Sequence, residues 1–94
     1  MKYRSRTEIA SHILEAANGG ATKTKIMYKA FLSFSQLKEY LGILVLNDLL
    51  ANDLPAIYKT TSKGLRFLGA TRKLDEMLNV RKSEDVLVSY VKTV

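Results

Sequence analysis

A chain of 94 residues with 47% hydrophobic content has room for one small globular domain, which argues against wholesale disorder. The absence of cysteine excludes disulfides, a thiol nucleophile and thiolate metal sites, and a single histidine, His12, is too few for a zinc site. The net charge of +6 is unevenly placed: residues 1–38 hold seven Lys or Arg against two acids, a surplus of +5, whereas residues 39–94 hold eight against seven, a surplus of +1. Such a cationic N-terminal part favours a polyanionic partner, because each phosphate contact releases condensed counterions.

In chain order, residues 1–6 form a basic arm in which Lys2, Arg4 and Arg6 alternate with Met1, Tyr3 and Ser5. A first helix is predicted to start at Ser5, which with Glu8 makes a capping-box pattern. Ile9, Ala10, Ile13, Leu14 and Ala17 supply its inward stripe, and Asn18-Gly19-Gly20 ends it. His12 falls at the edge of that stripe, as a half-buried structural side chain. A second helix covers about residues 23–29. Ile26, Met27 and Ala30 are placed to pack, Lys23, Lys25 and Lys29 to project outward, and Phe31 and Leu32 to fill the following turn as core residues.

The third helix, about residues 34–47, is the informative one. Ser33 and Gln36 form a second capping box, and Leu37, Tyr40, Leu41 and Leu44 recur at helical spacing. Leu46 lies nearly opposite Leu37 on a helical wheel, so the C-terminal helix or a second subunit is expected to cover that side. Asn47-Asp48 stops the helix. Residues 49–51 are predicted as a short strand, residues 52–55 as a turn with Asp53 at its tip, and residues 56–60 as the returning strand. Thr61 or Ser62 caps a longer helix through about Leu78, in which Gly64 and Gly69 each cost ~1 kcal/mol relative to Ala unless they permit close helix packing. After a break at residues 79–82, Ser83-Glu84-Asp85 reads as the start of a last helix, with strand as the alternative.

The expected architecture is therefore mainly α with a small β-hairpin: a winged helix-turn-helix with a C-terminal helical extension. Residues 1–62 would form the winged unit, and residues 63–94 a helical segment suited to dimerisation. Tyr40-Leu41, Leu44 and Leu49-Leu50, followed by Tyr58-Lys59-Thr60-Thr61-Ser62-Lys63-Gly64, resemble the small archaeal winged-helix regulators and chromatin-associated DNA-binding proteins. In that family the third helix carries a Tyr-Leu-x-x-Leu pattern and the second strand runs into Thr-x-Lys-Gly. The opening from Arg4 to Ile9 is similar to the family's basic start. Three departures stand out: Asp48 replaces a usual glycine, the wing is short with no basic tip, and the final helix is interrupted near Asn79. The resemblance implies a homodimer, here expected through residues 65–94.

A DNA-binding reading, with a role in transcription regulation, assigns these residues. The third helix would enter the major groove of double-stranded DNA, offering Ser33, Ser35, Gln36, Lys38 and Glu39, since Gln can read adenine and Glu can accept from cytosine. Arg4, Arg6, Lys23, Lys25, Tyr28 and Lys29 would hold phosphates and fix register. The alternative is a winged-helix interaction module that touches no DNA. Enzyme chemistry finds no support: residues around Gly19 lack Walker spacing, no nucleophile sits beside a base, and Asp75 and Glu76 point about 100° apart on a helix. No cofactor or metal is expected. No apolar run approaches the ~18 residues of a membrane span and the polar N-terminus is unlike a signal peptide, so a cytoplasmic, nucleoid-associated address is expected.

Overall fold

A computed structural model describes residues 4–78 of the chain. Local sequence signals explain where its helices begin. Ser5 caps α1 (Arg6–Ala16), its Oγ accepting from the Glu8 backbone N–H while the Glu8 carboxylate accepts from the Ser5 N–H. Gly19 and Gly20, at φ 87° and 105°, then turn the chain through conformations that a side chain would resist. Thr22 caps α2 (Lys23–Ala30), and Ser33 with Gln36 caps α3 (Phe34–Leu46) as the sequence predicts. Asp48 follows α3 in the left-handed conformation at φ 66°, taking a position where the resembling family uses glycine.

Three points of the sheet differ from expectation. A two-residue strand, β1 (Ala21–Thr22), joins β2 (Leu50–Leu54) and β3 (Ile57–Thr60) in an antiparallel sheet of order β1-β3-β2. Its pairing of Ala21 with Tyr58 and Thr22 with Ile57 is non-local, so no window of sequence displays it. Secondly, β2 runs on through Leu54 where a turn was expected. An irregularity between Asn52 and Leu54 leaves Asp53 without a cross-strand partner and lets the pairing resume at Leu54–Ile57. Thirdly, the wing tip is Pro55-Ala56 instead of Asp53. Proline fixes the first position, and Ala56 takes φ 76°, as the second central residue of a type II turn requires.

The core lies between α1, α2, α3 and the sheet, and its six completely buried large side chains are Ile13, Leu14, Ile26, Leu37, Leu44 and Leu50. Thr60 is the buried polar residue of this region. Its Oγ1 donates to the Leu14 carbonyl at 2.6 Å and its N–H to the Ala17 carbonyl at 3.2 Å, stitching the end of β3 to the end of α1. The final described helix, α4 (Ser62–Leu78), is started by Thr61, whose Oγ1 accepts from the Gly64 N–H at 3.0 Å and donates to the Asp48 carbonyl at 2.7 Å. Gly64 is needed for a contact other than the helix packing expected: a Cβ there would collide with the Leu49 carbonyl oxygen. Any larger residue must move α4 off the turn that follows α3. Gly69 has no such neighbour.

One apolar expectation is overturned. Leu32 is buried, but Phe31 is 83% exposed, because the left-handed cap it forms on α2 at φ 54° turns its side chain away from the core. Leu46 is 86% exposed among the described residues, so α4 over Ser62–Leu78 is not the cover expected for the far side of α3, and a second subunit stays the alternative. On α4 only Gly64 and Leu68 are buried and Phe67 is half-buried; Leu65, Leu74, Met77 and Leu78 are exposed. The last helix expected from residue 83 lies outside the described residues.

Candidate nucleic-acid interface

On α2, burial of Ile26 and Ala30 fixes the rotation of the helix and so determines what faces out. Lys23, Lys25 and Lys29 are exposed, and Tyr28 is 71% exposed, which settles its position as a surface group. With Phe31 beside the α2 terminus, the surface alternates cations with aromatic faces, both of which nucleic acids accept. A flexible ammonium with no fixed geometry suits phosphate better than a base edge.

Arg4 is placed differently from those lysines. Its guanidinium donates to the carbonyls of Ala30 at 2.7 Å and Phe31 at 2.9 Å, and lies 2.8 Å from His12 Nδ1. A cation over carbonyls left unpaired at the end of a helix is favourable for both hydrogen bonding and the helix dipole. The arm is thereby fastened across α2, with α1's histidine as a third partner. Arg6 is exposed, and its guanidinium lies 5.8 Å from the centre of the Tyr40 ring on α3, within cation–π range.

Leu37, Tyr40, Leu41 and Leu44 turn one face of α3 inward, which leaves Ser35, Lys38 and Glu39 exposed together with Ser33 and Gln36 at its start. The polar groups at that start are already occupied. Ser33 Oγ accepts from the Gln36 N–H at 3.2 Å, and Gln36 Oε1 accepts from the Ser33 N–H at 3.1 Å. Gln36 must therefore leave its cap to read adenine with both ends of its amide. Lys63, from α4, donates to the Asn47 carbonyl at 3.0 Å and closes the other end of α3.

Sequence periodicity did not disclose an apolar groove along α3. Phe34 is 64% exposed and Val45 40% exposed, and both line a cavity of about 440 Å³ between α3, the start of α2 and the sheet. A signal existed in principle, since Phe34, Val45 and Leu46 all lie off the Leu37-Leu41-Leu44 stripe on a wheel. A second, wider groove of about 670 Å³ between α1 and α4 is lined by Glu8, Glu15, Asp75 and Glu76, with Arg72 and His12 also present. Its carboxylates disfavour a polyanion there, which leaves the α2–α3 side as the cationic surface. Among the described residues no group of His, Asp or Glu could hold a metal ion, and no helix is long and apolar enough to cross a membrane.

Three helices, a wing and a strand between the first two helices define a winged helix-turn-helix. The chain belongs to the winged helix-turn-helix family, whose pattern it matches over residues 3–79. It is similar in structure to Sso10a-2, a DNA-binding protein from Sulfolobus solfataricus, with a TM-score of 0.74 and 25% sequence identity. That similarity covers 94% of this chain and 96% of the other. No curated protein sequence matches the chain.

Proposed function

We propose that the protein binds double-stranded DNA and acts in transcription regulation, with α3 in the major groove and α2 against the backbone. The observation that carries this reading is the set of exposed cations Lys23, Lys25 and Lys29 on the helix that precedes a recognition-type helix. The architecture shared with a DNA-binding protein supports it. In mechanism, the lysines bind phosphate and set register, while Ser35, Lys38 and Glu39 meet base edges. Ser33 and Gln36 serve first as the cap that holds the start of α3. Arg4 acts as a positioning residue, joining α1 and the α2 terminus, and Arg6, exposed beside the Tyr40 ring, can turn its guanidinium to phosphate. A cytoplasmic, nucleoid-associated location follows from this reading.

The test is fluorescence anisotropy with duplex DNA over a range of salt concentrations. Binding that falls steeply with salt, by a slope of several phosphates, is the expected result. Replacing Lys25 and Lys29 with Glu should weaken binding to all duplexes alike, by about tenfold or more at low salt; unchanged affinity removes α2 from the interface. Exposure of Phe34, Val45 and Leu46 favours the second reading, an adaptor that docks a protein partner and touches no DNA. Flat, negligible DNA binding at low salt would establish that alternative as the better one.

The same proposal includes a homodimer through residues 65–94, with residues 63–94 as the assembling segment. Leu74, Met77 and Leu78 are spaced three and four residues apart on α4 and are all more than half exposed, which supports a partner helix on that face. Sedimentation of the full chain should give a dimer. Leu74→Glu with Met77→Glu should raise its dissociation constant by about tenfold or more, as burying two charges opposes association. A dimer indifferent to both changes places the interface elsewhere.

A further inference from the structure

We propose that the groove between α3 and the sheet is a binding site for a small aromatic carboxylate. Its floor is made by Leu37 and Leu41, which are buried, and its helical wall by Phe34 and Val45. Tyr58 of β3 stands on the sheet side. Two aromatic side chains from different elements therefore border a space of about 440 Å³, within the range of small-molecule sites. Lys23 and Lys38 also line it, whereas among the described residues no Asp or Glu does. An apolar floor bordered by two lysine side chains, whose flexible stems let an ammonium swing to a bound anion, is complementary to a molecule with a flat hydrocarbon body and one anionic end. Inorganic phosphate would leave the floor wet, and an uncharged arene would leave the lysines unused.

Gly42 keeps this space open. It lines the groove on the exposed side of α3, and among the described residues a Cβ built there meets nothing within 4 Å. Its absence of a side chain is thus unrelated to packing or to a positive φ, and it weakens the helix by ~1 kcal/mol relative to Ala. A larger side chain at 42 would occupy the volume assigned to the ligand without straining the fold.

The regulatory consequence rests on the DNA-binding reading above. Lys23 and Lys38 belong to both surfaces, so an occupied groove neutralises cations that a duplex would otherwise contact. The ligand would act as a releasing effector.

The experiment is a titration of the isotopically labelled full chain with naphthoate, followed by two-dimensional amide NMR, with naphthamide as the uncharged control. Naphthoate should move the resonances of α3 and β3 with a dissociation constant on the order of 1 mM or tighter. Naphthamide should bind about fivefold more weakly, in keeping with one screened ion pair. Gly42→Leu should weaken naphthoate at least tenfold while its melting temperature stays level or rises. Lys23→Gln with Lys38→Gln should bring naphthoate to the level of naphthamide. Absent shifts, shifts confined to α1 and α4, or undiminished binding by Gly42→Leu would each overturn the site. The titration contains no DNA, so its failure leaves the duplex measurement standing, and failure of duplex binding leaves the groove standing. If both hold, saturating naphthoate should lower duplex affinity severalfold at low salt, and unchanged affinity would overturn the effector role.

Discussion

Inside the fold, α2 and α3 are anchored in the same way: Ile26 and Leu37 are almost wholly buried, and each helix begins with a hydroxyl side chain accepting from a backbone N–H. Outside they diverge. The outer side of α2 carries exposed cations, whereas α3 carries a start whose polar groups bond one another and an apolar flank beside the sheet. The contrast separates two tasks that a single recognition surface is often asked to combine. On the proposed DNA-binding reading, charge on α2 supplies attraction that any duplex would feel, and what α3 could distinguish depends on the few groups left unoccupied and on shape.

Substitutions can break this comparison at several depths. The largest expected effect is on the shared interior. Ile26→Ala and Leu37→Ala should each cost about 2–5 kcal/mol, measured by denaturant unfolding, because both side chains leave cavities in the same core. A large cost at one and none at the other would deny the two helices a common anchor. Next comes Arg4→Ala, which removes donors from the α2 terminus. Since Arg4 is only half-buried, a loss of about 1–2 kcal/mol is expected, with any change in duplex affinity nearly independent of salt. A reduced salt slope with full stability would instead make Arg4 a phosphate contact. The smallest effect is at Gln36. Gln36→Ala should lower stability by about 0.5 kcal/mol through loss of the capping box, and site selection would report whether base preference changes as well. Loss of preference at a single base position would mark Gln36 as a reader despite its cap; a uniform loss over all sequences would leave it a cap.

What the sequence discloses about this fold is what depends on near neighbours. The Ser5-Glu8 and Ser33-Gln36 caps, the inward stripes of α1, α2 and α3 and the left-handed stop at Asp48 involve residues within a turn or two of one another, so spacing alone reveals them. The strand at Ala21–Thr22 is hidden because two residues carry no period, and its partners Tyr58 and Ile57 lie 37 and 35 positions away. Phe31 was misplaced because its hydrophobicity argues for burial, while its backbone, as a cap, directs it outward. The candidate interface was readable as an inventory of cations and polar groups. Their commitments were less so. Arg4 meets carbonyls 26 and 27 positions along the chain, and Phe34 joins Tyr58 across a groove that exists only once α3 and the sheet are in place.

The unpaired position at Asp53 has one more effect. The sheet ends on one side in a strand of two residues that passes directly into a helix, and on the other in β2, whose regular ladder is broken next to a carboxylate. Neither margin offers a foreign strand a long, flat row of amides and carbonyls. The wing can therefore reach out from the domain while resisting edge-to-edge aggregation, a hazard that projecting hairpins otherwise carry at the concentrations of a crowded cell.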